Sequence, residues 1–150
     1  MVPILERERI TVAGVNGRRR VLRAAAAAVI LAVSACSTVG PTVSAAADVA
    51  VQFHQAITAG DGTTACSVLA PETVHELEQT NGSQCDQAVL DQYLPDAQTV
   101  QVSQVFGHGA QVLMDGDVLF LAVFDGRWEI TAAGCRSRGD RPYDCDLKGS

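Results

Sequence analysis

Two hydrophobic periods divide the chain. Between residues 44 and 94 apolar side chains recur every three or four positions, and from 100 to 132 they alternate with polar ones. The first spacing gathers side chains on one side of an α-helix, and the second gathers them on one face of a strand. Ser44 is a candidate cap, and Ala47, Ala50, Val51, His54 and Ile57 follow at helical spacing until Gly60-Asp61-Gly62 ends the run. A shorter helix carrying Cys66 is expected over 63–69. Pro71 opens a third, because its fixed φ suits a first helical turn and Glu72 beside it favours a helix N-terminus. That helix runs to 78 and is broken by Asn81-Gly82-Ser83. A fourth, with Cys85, Ala88, Val89 and Tyr93 on one side, stops before Pro95.

Beyond Pro95, Val100 and Val102 alternate with Gln101 and Ser103, and Gly107-His108-Gly109 turns the chain. A second strand is expected over 110–114, with Asp115-Gly116 as a hairpin signal. Residues 118–124 are apolar on both faces, the pattern of a strand covered on both sides. After Asp125-Gly126, Arg127, Glu129 and Thr131 alternate with Trp128, Ile130 and Ala132. Trp128 and Ile130 are therefore expected in the core, and Arg127 and Glu129 in solvent. Connectors this short permit only antiparallel pairing. The fold expected is α+β, with N-terminal helices packed on one face of a curved four-stranded antiparallel meander.

The N-terminal third follows neither period. Arg18-Arg19-Arg20 precede an apolar run from Ala24 to Ala35 and then Cys36. A basic cluster, an apolar stretch and small residues form the layout of a secretory signal. The run has twelve residues, short of the ~20 that a spanning helix requires. Val33-Ser34-Ala35-Cys36 resembles the bacterial lipobox, with Val33 in place of the usual leucine. The resemblance implies cleavage before Cys36 and diacylglycerol on its sulfur, a lipoprotein held by its acyl chains. Arg18-Arg19 with Val21-Leu22 also looks like a twin-arginine export motif, beside the plainer reading of a basic leader. The organisation expected is an extension and signal over 1–35, a tether over 36–44 and the α+β domain over 45–150.

Export changes how the cysteines read. Of the five, Cys36 is assigned to lipid, leaving Cys66, Cys85, Cys135 and Cys145 as disulfide candidates in an oxidising compartment. Four cysteines allow three connectivities. The local pairs, Cys66 with Cys85 and Cys135 with Cys145, are the easiest to close. No Cys-x-x-Cys pair or neighbouring histidine supplies metal-ligand spacing, and no metal or other cofactor is expected.

Charge then excludes one class of partner. From Cys36 onward five basic residues face fifteen acidic ones, a formal −10, which repels nucleic-acid phosphates. The segments Ala65-Cys66-Ser67-Val68-Leu69-Ala70-Pro71, Trp128-Glu129-Ile130-Thr131-Ala132-Ala133-Gly134-Cys135 and Arg141-Pro142-Tyr143-Asp144-Cys145 resemble a group of actinobacterial secreted lipoproteins. The likeness spans about residues 45–149. It implies a cone-shaped α+β domain of the nuclear transport factor 2-like, or cystatin-like, kind.

Catalytic chemistry is not written in any motif. Nucleophile elbow, phosphate-binding loop and metalloprotease helix are all missing from the sequence. His54 falls among the apolar positions of the first helix, facing a candidate pocket or the edge of the core. His75 shares a solvated acidic helix face, and His108 sits in a turn. Asp48 and Glu129, the carboxylates weighed as proton-transfer groups, fall on expected wet faces. The segment 136–148 reads as a stapled tail of mutually neutralising charges, with a recognition loop as its functional alternative. These readings lead to a cell-envelope lipoprotein on the outer face of the cytoplasmic membrane, anchored through Cys36. Its domain is expected to bind, or to assist an envelope protein, without catalysis. The alternative is a small isomerase or cyclase acting on an apolar ligand inside the cone.

Overall fold

The computed structural model describes residues 41–149; the expected signal over 1–35, Cys36 and the expected tether up to residue 40 lie outside the described residues. Helix α1 (Val43–Ala59) begins two residues earlier than expected, because Thr42, not Ser44, caps it by accepting from the Ala45 amide at 3.1 Å. Its buried side consists of Ala46, Ala50, Phe53, His54 and Ala56, while Ala47, Val51 and Ile57 are half-buried at its margin. The small residues let the helix lie close to its neighbours. Asp61 caps the short α2 (Gly62–Cys66), accepting from both the amide and the hydroxyl of Thr64. Pro71 occupies the first turn of α3 (Pro71–Asn81), and α4 (Cys85–Ala88) is a single turn, shorter than the period implied.

Five strands follow in simple meander order: β1 (Val100–Phe106), β2 (Gly109–Met114), β3 (Val118–Phe124), β4 (Arg127–Arg138) and β5 (Arg141–Lys148). The four-strand expectation is corrected by β5. The segment 136–148 is not a tail or loop but the distal part of β4 turning into a fifth antiparallel strand, with Cys135 opposite Cys145 and Arg136 opposite Asp144. Its charges and Pro142 mask the alternation, while the ladder, a disulfide and an Arg136–Asp146 ion pair at 2.8 Å hold it in place.

Register assigns each side chain to a face. Val112 lies opposite Leu119, Ala110 opposite Leu121, Leu121 opposite Ile130 and Val123 opposite Trp128, all on the inner face that packs against α1. Trp128 and Ile130 are buried as expected and Arg127 is exposed. Glu129 departs from expectation, being half-buried beside Arg127 at 3.7 Å. The link between α2 and α3 is stitched to β4 by hydrogen bonds from the Ala70 amide to the Ile130 carbonyl and from the Ile130 amide to the Val68 carbonyl. On the outer face the same register exposes Val102, Gln104 and Phe106 of β1 and Leu113 of β2, with Phe120 and Phe124 of β3 half-buried. The described residues cover β3 with helices on one face only.

Candidate functional site

His54 is where the helical layer meets the sheet chemically. The inward parity of β3 that buries Leu119 and Leu121 also turns Asp117, two residues before Leu119, into the interior. There its Oδ2 lies 3.0 Å from His54 Nε2, with the two side chains 2% and 0% exposed. Asp117 Oδ2 also accepts from the Gly134 amide and Oδ1 from the Cys135 amide, each at 3.0 Å. Two successive amides can aim at one carboxylate because Gly134 takes a left-handed φ of 65°, a backbone concavity suited to anions. A Cβ there would meet Leu94 Cδ2 and Asp146 Oδ2 at 3.0 Å. With Asp117 ionised, the carboxylate only accepts and His54 Nε2 carries the shared proton. Phe53 packs edge-on against the imidazole, with centroids 5.5 Å apart.

This cluster joins α1, the β2–β3 hairpin and the β4 bend into one brace. Both carboxylate oxygens are engaged, and neither His54 nor Asp117 lines the cleft beside Trp128, the one beside Leu147 or the hollow beside Tyr143. Chemically the arrangement satisfies buried polar groups; a reacting atom would have to displace one of those bonds.

Open space lies elsewhere. A cleft of about 500 Å³ separates the N-terminal half of α1 from the start of β4. Ala45, Val49, Val68 and Trp128 supply apolar lining, with Gln52, Arg127 and Glu129 as polar members. Trp128 is the chain's single tryptophan, and its indole nitrogen donates to the Thr42 carbonyl at 3.1 Å. The bond keeps the indole in one pose, with its body in the core.

The remaining expectations separate cleanly. Cys66 is bridged to Cys85 and Cys135 to Cys145, with Cα separations of 6.1 and 3.9 Å. His75 is exposed, bonded to Gln79, and His108 is exposed in its turn; Asp48 is exposed on α1. None of these three approaches the His54 cluster. Cys36 lies outside the described residues. Asp117 is the residue that sequence reasoning missed, hidden in a turn-like Asp-Gly-Asp, although its parity with Leu119 and Leu121 was a readable signal. Among the described residues no group of three His, Cys, Asp or Glu is placed to hold a metal ion. Nor is any described helix long and apolar enough to cross a membrane.

Two surface carboxylates are held below the ordinary aspartate range. For Asp61 the main cause is the Thr64 hydroxyl and then the Thr64 amide; for Asp115 it is the amide of Thr99 and then that of Gln98. Asp61 thereby caps α2, and Asp115 holds the backbone that leads into β1. Compared with known protein families, curated proteins and solved structures, the chain matches none.

Proposed function

We propose that this protein is an exported lipoprotein, anchored by acyl chains on Cys36 at the outer face of the cytoplasmic membrane, whose domain binds a ligand or an envelope partner without catalysing a reaction. The finer fold we infer is the cone-shaped, nuclear transport factor 2-like arrangement. The observation that carries the reading is the cysteine pattern. All four cysteines of the domain are bridged, as suits an oxidising compartment, and the fifth, Cys36, stands directly behind the lipobox-like Val33-Ser34-Ala35. A formal −10 gives the domain no attraction to an anionic bilayer, so retention falls to the lipid. Two acyl chains anchor stably where one does not.

The binding site proposed is the Trp128 cleft, whose volume and mixed lining suit a small amphiphile with an apolar body and a polar end. The isomerase or cyclase alternative draws support from the contact of a histidine with a carboxylate. Against it, the carboxylate of that pair is committed to two backbone amides, and neither residue lines the cleft.

Two measurements test the reading. Intact mass of the membrane-extracted protein is expected to show a chain beginning at Cys36 and carrying diacylglycerol, and Cys36→Ala is expected to lose it. Equal membrane retention of parent and variant would replace the lipoprotein with an uncleaved signal-anchor. Titration with a medium-chain fatty acid is expected to shift Trp128 emission, and Val49→Glu to abolish the shift. An unresponsive tryptophan across amphiphiles of either charge would remove the cleft from consideration.

A further inference from the structure

The geometry points to an anionic amphiphile as the occupant of the Trp128 cleft, its apolar body against Val49 and Trp128 and its oxyanion head on Arg127. This rests on the binding role proposed above for the cleft and adds the sign of the ligand's charge. Residues 41–126 contain no lysine or arginine, so α1 and the link between α2 and α3 bring no cation to their walls. Arg127, at the start of β4, brings one. It and Glu129 are the charged side chains of the lining, and their placement differs. The Arg127 side chain is 78% exposed and that of Glu129 only 15%.

The two form a loose pair. At 3.7 Å the guanidinium nitrogen stands outside hydrogen-bond distance of the Glu129 oxygen, its only charged partner among the described residues. A planar fork of N–H donors left open in this way matches the paired oxygens of a carboxylate or phosphate. A cationic head would meet that exposed fork before it reached the more buried carboxylate. The start of α1 works in the same direction. Ala45 brings its first turn to the cleft, and no acidic residue in that turn offsets the partial positive charge of the helix end.

Range and size decide the rest. The domain's formal −10 opposes an anion from afar, where physiological salt screens charge over about 8 Å. Contact with Arg127 acts inside that distance. A volume of about 500 Å³ is that of a pocket for one small ligand, which suits a single-chain amphiphile. Val49 and Val68 supply aliphatic walls, and the bond to the Thr42 carbonyl fixes the indole as a third. A wall already fixed has little freedom left to lose when a ligand binds.

The test uses the mature lipidated protein in phosphatidylcholine nanodiscs, where emission of the single tryptophan reports the cleft alone. Dodecanoate, dodecyl phosphate, dodecanol and dodecyltrimethylammonium are titrated at equal loading of the bilayer. The two anions are expected to bind about tenfold or more tightly than dodecanol, and the cation most weakly. Arg127→Gln should bring dodecanoate down to the affinity of dodecanol while leaving dodecanol itself unchanged, which a loss of fold would not do. Glu129→Gln should strengthen dodecanoate severalfold by removing a repelling carboxylate, and added salt should weaken both anions. A preference for the cation, or an Arg127→Gln variant that binds dodecanoate as the parent does, would overturn the proposal. Equal binding of all the probes would also overturn it while leaving the cleft as a binding site. Emission that no probe moves would remove the cleft itself, and this assignment with it.

Discussion

Replacing Asp117 by asparagine changes one oxygen to an amide nitrogen with almost no change in volume, so the loss comes from hydrogen bonds alone. Three N–H groups converge on the carboxylate, two on Oδ2 and one on Oδ1. An asparagine oxygen in the Oδ2 position keeps His54 and Gly134 but sets its own NH₂ against the Cys135 amide; the flipped amide loses the other two. Either way at least two buried donors go unpaired, at about 1–3 kcal/mol each, so a destabilisation of about 3–5 kcal/mol is expected. For a domain of this size 1 kcal/mol corresponds to about 4 °C, so the melting temperature should fall by about 12–20 °C. Thermal unfolding followed by circular dichroism, with both disulfides intact, measures it. A double-mutant cycle with His54→Ala should show coupling of at least ~1 kcal/mol between the two positions. A drop below about 3 °C, or additive single effects, would show that the brace does not hold α1 to the sheet.

Trp128→Ala removes a buried indole and should cost about 3–5 kcal/mol, read as a lowered urea midpoint at unchanged slope. Gly134→Ala combines a left-handed φ with close contacts to Leu94 and Asp146 and should cost about 2–3 kcal/mol, whereas Gly139→Ala, with φ of 68° in open space, should cost about 1 kcal/mol. Because Asp61 and Asp115 have lowered pKa values when folded, the stability they confer is complete above about pH 4, where unfolded aspartate titrates, and is lost as pH falls through their lower folded values. Melts of Asp115→Asn and parent should therefore differ at pH 7 and converge under stronger acid. Removing the Cys66–Cys85 bridge by a double serine substitution should cost about 2–4 kcal/mol in denaturant unfolding.

The elements that sequence periodicity located are those with one wet and one dry side. β3 was delimited to the residue and α1 to within a turn, because burial imposes its period on composition. β5 escaped since Arg141-Pro142-Tyr143-Asp144 carries no alternation; a covalent bridge, a cross-strand ion pair and the single buried Leu147 keep it on the sheet. The partner of His54 escaped for a different reason. Asp117 is 63 residues away in sequence, and no local pattern encodes a contact made by docking one layer onto another. Its clue was parity with Leu119, which outweighs the usual exposure of an acidic residue when three donors await it inside. The uncovered side of β3 was legible as a strand apolar on both faces, although the sequence could not name its cover.

The two disulfides also bear on the order in which the molecule assembles. Their closures span 19 and 10 residues, one wholly within the helical segment and one within the terminal hairpin. Short loops close fast and at low entropic cost, so each half can oxidise on its own before the halves meet. A chain that reaches an oxidant unfolded thus has little opportunity to mispair, because each cysteine finds its native partner nearer than any other of the four. The long-range step left over is the docking of α1, sealed by His54 and Asp117. Cys135, whose amide bonds Asp117, is buried in the assembled domain, and that burial shields its bridge from further exchange.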